Sequence, residues 1–297
     1  MKQLISDSFM PATCSGGKIE VAVWGDSVDG RLNTMQVAVD AGFVMIGGGA
    51  QVTNFSNTNV GVNALLTAAY PINDGTFTKY AAASKDHQQI YSHRLWVYVI
   101  GLKIYSCDTD KCEVTLTPAQ IIASLNITEV TSSPAAHFPS AIAIPPTGYT
   151  PLSGGAFIHW TDQGNLLVVD GIQQGGGLGS AGKDQQVSSP ATITAYCLSI
   201  RNPIFCGAFP YPLNVSTKSN QVIINQHAQS VSYTTDAGHL LSGVSGASEF
   251  AVGGNGRLLF AMYPQNSTSA TVSSKDQGAT DISGNLVITI FQISPGF

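Results

Sequence analysis

Three short stretches place a cation, a carboxylate and an amide or imidazole in the same order: Lys85-Asp86-His87, Lys183-Asp184-Gln185 and Lys275-Asp276-Gln277. An ammonium donates hydrogen bonds, a carboxylate accepts them, and an amide or imidazole does both. Held in loops on a rigid scaffold, such a set binds neighbouring sugar hydroxyls while an aromatic ring stacks on the sugar. Tyr70, Tyr80, Tyr91, Trp160 and Tyr263 are the aromatic candidates. The same triplets also have a structural use. Asp caps a turn and Lys pairs with a nearby carboxylate or carbonyl, fixing the chain before its next strand. With nine Lys and 14 Asp in 297 residues, three Lys-Asp pairs exceed chance, and they recur 98 and 92 residues apart.

That spacing marks an internal repeat, and other features keep the same order around it. A Leu doublet precedes each pair: Leu65-Leu66, Leu166-Leu167 and Leu258-Leu259. Further upstream, Gly42 leads to Gly49-Ala50, Gly148 to Gly155-Ala156, and Gly238 to Gly246-Ala247. A run rich in strand-forming residues follows each pair, at 94–104, 191–200 and 285–293. The chain therefore divides into three modules of about 95 residues, 1–104, 105–200 and 201–297.

The elements that must position these residues are strands. Segments 18–24, 34–40, 140–146, 229–235 and 257–264 are β-branched or aromatic runs bounded by Gly, Pro, Asn and Ser. Only "TPAQIIASLN" (117–126) has the look of a helix. The expected class is all-β. No low-complexity linker separates the modules, so the expected arrangement is a pseudo-threefold prism or barrel-like body, with tandem small sandwiches as the alternative.

Composition excludes several functions. Net charge is −5, only 10% of residues are charged, and no basic cluster exists; nucleic acid is not an expected partner. No apolar run is long enough for a membrane-spanning helix. The N-terminal stretch lacks the apolar core of a secretory signal, so a soluble protein is expected, either cytoplasmic or exported by a non-classical route. The five Cys (Cys14, Cys107, Cys112, Cys197, Cys206) leave at least one thiol unpaired within the chain. "CDTDKC" (107–112) has the spacing of a small disulfide loop. His87 and His93 lie six residues apart, but the positions matching His87 are Gln185 and Gln277. Neither a shared metal site nor any cofactor is expected.

Two further motifs bear on catalysis. "GLGSAG" (177–182) has the G-x-G-x-x-G spacing, yet no helix follows it to hold a pyrophosphate, and it is expected to be a Gly-rich loop. "EVAVWGDSVDG" (20–30) resembles the first block of the SGNH hydrolases, and "DAGH" (236–239) is similar to their Asp-x-x-His block. The resemblance implies Ser27 as nucleophile, His239 as base, Asp236 as its orienter and Asn73 as an oxyanion donor. It also implies an α/β fold, which the strand-rich pattern does not support. "DAGH" is moreover the repeat counterpart of "DAGF" (40–43), which a turn explains.

The expected function is non-enzymatic: a lectin-like protein with up to three related loop sites, engaging glycans or glycoconjugates with avidity. One alternative is a toxin-like or surface-interaction protein that engages a target membrane, for which "QVIINQHAQSVSYTT" (221–235) is the nearest candidate strand pair. The other is the hydrolase that uses Ser27.

Overall fold

The computed structural model describes residues 1–11, 18–57, 63–87, 89–107, 113–160, 165–172, 176–184, 188–206, 209–224, 226–250, 257–276 and 284–296. It is almost entirely β. In chain order the strands are β1 (Gln3–Pro11), β2 (Lys18–Gly30), β3 (Leu32–Ala38), β4 (Val44–Thr53), β5 (Ala64–Pro71), β6 (Lys79–Asp86), β7 (His93–Cys107), β8 (Glu113–Thr115), β9 (Leu125–Thr131), β10 (Ser140–Ala143) and β11 (Tyr149–His159). They continue as β12 (Asn165–Ile172), β13 (Leu178–Asp184), β14 (Thr192–Arg201), β15 (Ile204–Cys206), β16 (Phe209–Tyr211), β17 (Leu213–Ile224), β18 (Ala228–Thr234), β19 (Leu240–Phe250), β20 (Arg257–Asn266), β21 (Ser269–Asp276) and β22 (Gly284–Pro295). The helix expected over 117–126 shrinks to α1 (Pro118–Ile122), closed at its start by a capping box between Thr117 and Gln120. The chain is already extended again at Leu125, because β9 pairs with β14 from that residue on.

Three large antiparallel sheets carry the molecule. Sheet I runs β1-β2-β7-β4-β20-β21-β18, with β8 added beside β7. Sheet II runs β10-β13-β12-β19-β22-β17, and sheet III runs β3-β6-β5-β11-β14-β9. Strands from distant parts of the chain are thus neighbours: β4 pairs with β20, β5 with β11, and β12 with β19.

The recurring sequence marks have identifiable physical causes. Gly42, Gly148 and Gly238 have φ of 89°, 83° and 82°. Each is the third residue of a turn closed by a backbone bond: Phe43 N to Asp40 O, Tyr149 N to Pro146 O, and His239 N to Asp236 O. Glycine adopts that left-handed conformation without the strain a Cβ would bring. Register shifts follow each Leu doublet, at Leu66/Ala68, Leu167/Val169 and Leu259/Ala261. A bulge there re-aims the strand and raises its twist. A second set lies near the starts of β4, β11 and β19, at Met45/Gly47, Pro151/Ser153 and Leu241/Gly243.

This second set of bulges is where the three sheets meet. Ser153 Oγ donates to the Ile46 carbonyl (2.8 Å), and Ser242 Oγ donates to the Leu152 carbonyl (3.0 Å). At Gly47 a Cβ would lie 2.1 Å from the Ser242 carbonyl oxygen, so any larger residue would push the strands apart. Around this junction lies one continuous core that includes Ile46, Ile100, Leu152, Leu198, Val244 and Phe291, all essentially without solvent exposure. Burying apolar side chains of this size is worth about 1.5–3 kcal/mol each.

"GLGSAG" is not a loop. Leu178 to Asp184 form β13, between β10 and β12 in sheet II. Its small residues fit a crowded strand rather than a phosphate, with Gly179 paired to Ile142 on one side and Gly171 on the other.

Candidate binding site

The three Lys-Asp pairs do not project from loops. Each ends a strand, at the termini of β6, β13 and β21, and all six residues are buried. Backbone pairing explains why. The amides of Asp86, Asp184 and Asp276 donate to the carbonyls of Arg31, His137 and His227, which stand just before the flanking strands β3, β10 and β18. The side chains of those three residues then face the same carboxylates. Arg31 Nε is 2.6 Å from Asp86 Oδ2, His137 Nδ1 is 2.6 Å from Asp184 Oδ2, and His227 Nδ1 is 3.9 Å from Asp276 Oδ2. Arg257, fully buried, brings a guanidinium to Asp276 at 2.6 Å and also donates to the Gln226 carbonyl. Each aspartate therefore closes a strand end with both its backbone and its side chain.

The lysines are turned against the protein as well. Lys85 Nζ lies 4.8 Å from the centre of the Trp160 ring, and Lys183 Nζ lies 5.1 Å from that of Phe138 and 3.5 Å from Asp184 Oδ1. Lys275 Nζ donates to Asn63 Oδ1 at 3.4 Å. Burial pushes the ammonium of Lys85 below its ordinary range and that of Lys275 down to about 8. His87 is buried and its backbone amide donates to the Asn63 carbonyl. Gln185 and Gln277 lie outside the described residues. The expectation of loop-borne triplets thus gives way to sealed strand ends, because the antiparallel ladder continues through each Asp.

The residues of the SGNH-like blocks are not assembled. Ser27 lies inside β2, opposite Trp96 of β7, and its amide donates to Asp26 Oδ1. Asp236 is held by Lys218 Nζ at 2.5 Å and by Gln292 Nε2 at 2.8 Å. His239 follows in the turn before β19, in a different sheet from Ser27. Asn73 is exposed on the connection between β5 and β6. Among the described residues, no hydrogen bond joins Ser27 to His239. The segment 221–235 is not one hairpin either: it contributes β17 to an edge of sheet II and β18 to an edge of sheet I. Cys197 is buried in β14, and the 107–112 loop falls outside the described side chains.

The aromatic residues single out another place. A cleft of about 460 Å³ opens on sheet III, across β3, β6, β5 and β11. Its floor is made of small residues, Thr34, Ala68 and Ala83, which face one another across the ladder. Its wall is aromatic: Tyr70, Phe157, His159 and Trp160. The Tyr70 and Phe157 rings are 2° from parallel with centroids 5.4 Å apart, and Tyr70 also stacks on Tyr196 at 4.8 Å. Phe157 meets His159 at 4.3 Å. His159 Nε2 lies 2.8 Å from Thr194 Oγ1, which in turn lies 2.8 Å from Thr131 Oγ1, so the imidazole is held upright. Burial and the nearby Glu129 carboxylate raise the pKa of Tyr70, keeping its hydroxyl a neutral donor at physiological pH. Among the described residues the lining carries no carboxylate.

Of the aromatics named from sequence, Tyr70 and Trp160 line this cleft. Tyr80 is fully buried and donates to the Gly154 carbonyl, Tyr91 stacks on His93, and Tyr263 stacks on Tyr98 in sheet I. Trp24 is a core residue, edge-on to Phe43. Sequence reasoning missed Phe157, His159 and the Ala floor, together with the clamp residues Arg31, His137, His227 and Arg257. No protein-family model and no curated protein sequence matches the chain.

Proposed function

We propose that this protein is a non-enzymatic carbohydrate-binding protein whose principal site is the cleft on sheet III. The observation that carries the proposal is the stack of parallel Tyr70 and Phe157 rings, which with Trp160 and His159 walls a cleft floored by Ala and Thr. Flat rings present a polarisable face to the C–H face of a pyranose, while Thr34 and His159 supply donors and acceptors for its hydroxyls. Pockets that fix a small ligand combine an apolar lining with few well-placed polar groups in this way. The neutral side chains of the described lining suit polyols and glycoconjugates.

We further infer that the fold repeats three times about the junction of β4, β11 and β19. In each sheet three strands of one module lie beside three of another: β2-β7-β4 with β20-β21-β18, β17-β22-β19 with β12-β13-β10, and β9-β14-β11 with β5-β6-β3. Positive-φ glycines, bulges and Lys-Asp ends recur at matching places in these strands, which supports one body rather than tandem sandwiches.

A glycan-array screen of the purified protein tests the functional reading, followed by Phe157→Ala and Trp160→Ala on the best binder. Glycan binding that either variant weakens at least tenfold, with melting temperature nearly kept, is the expected result. An array without hits, or hits that both folded variants retain, would overturn the cleft as a carbohydrate site.

A further inference from the structure

The outer face of sheet I repeats the layout of the cleft with a different set of side chains. The register makes the comparison residue by residue. On sheet III, Gly155 pairs with Tyr196, Phe157 with both Thr194 and Ala68, and Ala68 with Ala83. On sheet I, Gly49 pairs with Tyr98, Gln51 with both Trp96 and Ala261, and Ala261 with Ser273. Tyr98 thus stands where Tyr196 does, Gln51 where Phe157 does, and Trp96 where Thr194 does. Tyr263 on β20 and Tyr70 on β5 both follow a Leu doublet and its bulge.

The result is a second aromatic platform. Trp96 and Tyr98 stack at 6.3 Å, and Tyr98 and Tyr263 stack at 5.2 Å, a row of three rings crossing from β7 over β4 to β20. Tyr98 Oη donates to Gln51 Oε1, placing an amide among the rings. Beside the platform, where the cleft has Ala83 and Thr34, sheet I has hydroxyl pairs: Ser230–Ser273 at 2.6 Å and Ser232–Thr271 at 2.7 Å. At the end of the platform, Trp96 Nε1 and Arg94 both donate to Asn57 Oδ1, and Arg94 is held by Asp29.

One buried polar atom marks this face. Thr53 Oγ1 has no hydrogen-bond partner among the described residues, and by register, two residues after Gln51 on β4, it occupies the place of His159, which lines the cleft on sheet III. Buried polar atoms are normally satisfied, and those that are not call for a ligand, a water or an ion. On sheet II the platform is missing: Thr289 pairs with Ser245 where a Tyr pairs with Gly on the other two sheets, and Ala247 stands at the place of Phe157.

We infer that the outer face of sheet I, around Trp96, Tyr263 and Gln51, is a second binding surface for neutral sugars. It is more polar than the cleft, and the molecule is therefore two-sited rather than three-sited. This rests on the carbohydrate reading of the cleft. Two sites on different sheets of one chain engage a multivalent glycan surface with avidity greater than either site alone.

The probe is a panel of methyl pyranosides (gluco, galacto and manno) titrated into the isotope-labelled protein, with backbone amide shifts followed by NMR. Two saturating sets of shifts are expected, one centred on β5 and β11 and one on β20 and β7. Trp96→Ala and Gln51→Ala should each weaken the second set at least tenfold and leave the first unchanged, while Phe157→Ala should do the reverse. Having two variants on sheet I keeps the test valid if one fails to fold. A single set, lost in Phe157→Ala and indifferent to both sheet I variants, would overturn the second site alone. No saturable shift with any pyranoside would overturn both readings together.

Discussion

The Lys-Asp strand ends and the cleft on sheet III touch one another, since Lys85 stacks on the Trp160 ring that walls the cleft. They behave in opposite ways. The strand ends recur three times in the chain and are sealed, their carboxylates held by Arg31, His137, Arg257 and His227. The cleft is open, and its aromatic wall is not matched at the corresponding ladder positions of the other two sheets, where Gln51 and Ala247 stand in the place of Phe157. The residues that recur at these strand ends are bonded within the fold, whereas the cleft residues keep faces open to a ligand.

The comparison breaks first, and hardest, at Asp276. Arg257 and Asp276 are both without solvent exposure and 2.6 Å apart. Asp276→Ala takes this carboxylate from the buried guanidinium, which keeps its bonds to the Gln226, His227 and Ser274 carbonyls. Removing one partner of such a pair costs about 3–5 kcal/mol, measured as the loss in denaturant unfolding free energy. Arg257→Met with Asp276→Leu replaces the pair by apolar groups of similar size and should recover most of that loss. If the single variant melts like the parent, the sealed ends are not structural and the contrast with the cleft fails.

The second test sharpens the comparison through pH. Burial holds Lys275 at about 8, below its ordinary 10.5. The folded state therefore releases this proton before the unfolded chain does. Between pH 8 and 10.5 the unfolded chain binds more protons at this position, so stability rises with pH across that window. Below pH 8 both states are protonated and the penalty for burying the charge stands in full. Lys275→Met should flatten this rise and be on the order of 1–2 kcal/mol more stable at pH 7, discounted for the solvent that still reaches Nζ. A parent and variant with parallel stability curves from pH 7 to 10.5 would mean that the ammonium is not desolvated in the fold.

How far the sequence discloses this arrangement follows from the same contrast. Gly42, Gly148 and Gly238 and the Leu doublets are legible because one residue type alone suits a left-handed turn, and a bulge follows each doublet. The partners of the three aspartates were not legible. Arg31, His137 and His227 share a place in the ladder but not a residue type, and lie 106 and 90 residues apart against 98 and 92 for the aspartates. Any side chain that can meet a carboxylate suffices there, so identity carries no signal. The cleft was hidden for a different reason. Its floor comes from β3, β5 and β6 and its aromatic wall partly from β11, and only the β5–β11 pairing, between residues nearly 90 apart, brings them together. "GLGSAG" misled because glycine serves both a loop and a crowded strand, and spacing alone does not separate the two.

The smallest expected effect is at Asp86, and it separates clamp from ligand site. Its partner Arg31 is half exposed, so water can take over the guanidinium when the carboxylate is gone. Asp86→Ala should then cost only about 1 kcal/mol, near the upper end for exposed pairs with a contribution from the lost local hydrogen bond. Asp86→Asn, which keeps an acceptor for Arg31 Nε, should cost less still. The backbone bond from the Asp86 amide to the Arg31 carbonyl survives both changes and holds the end of β6 in place. Lys85 and Trp160 are left where they are, so sugar affinity per folded molecule should stay within about twofold of the parent, a difference well under 1 kcal/mol. A tenfold loss of affinity at unchanged melting temperature would place the ligand on Asp86 instead, and the line drawn here between repeated, sealed residues and unrepeated, open ones would have to be moved to include it.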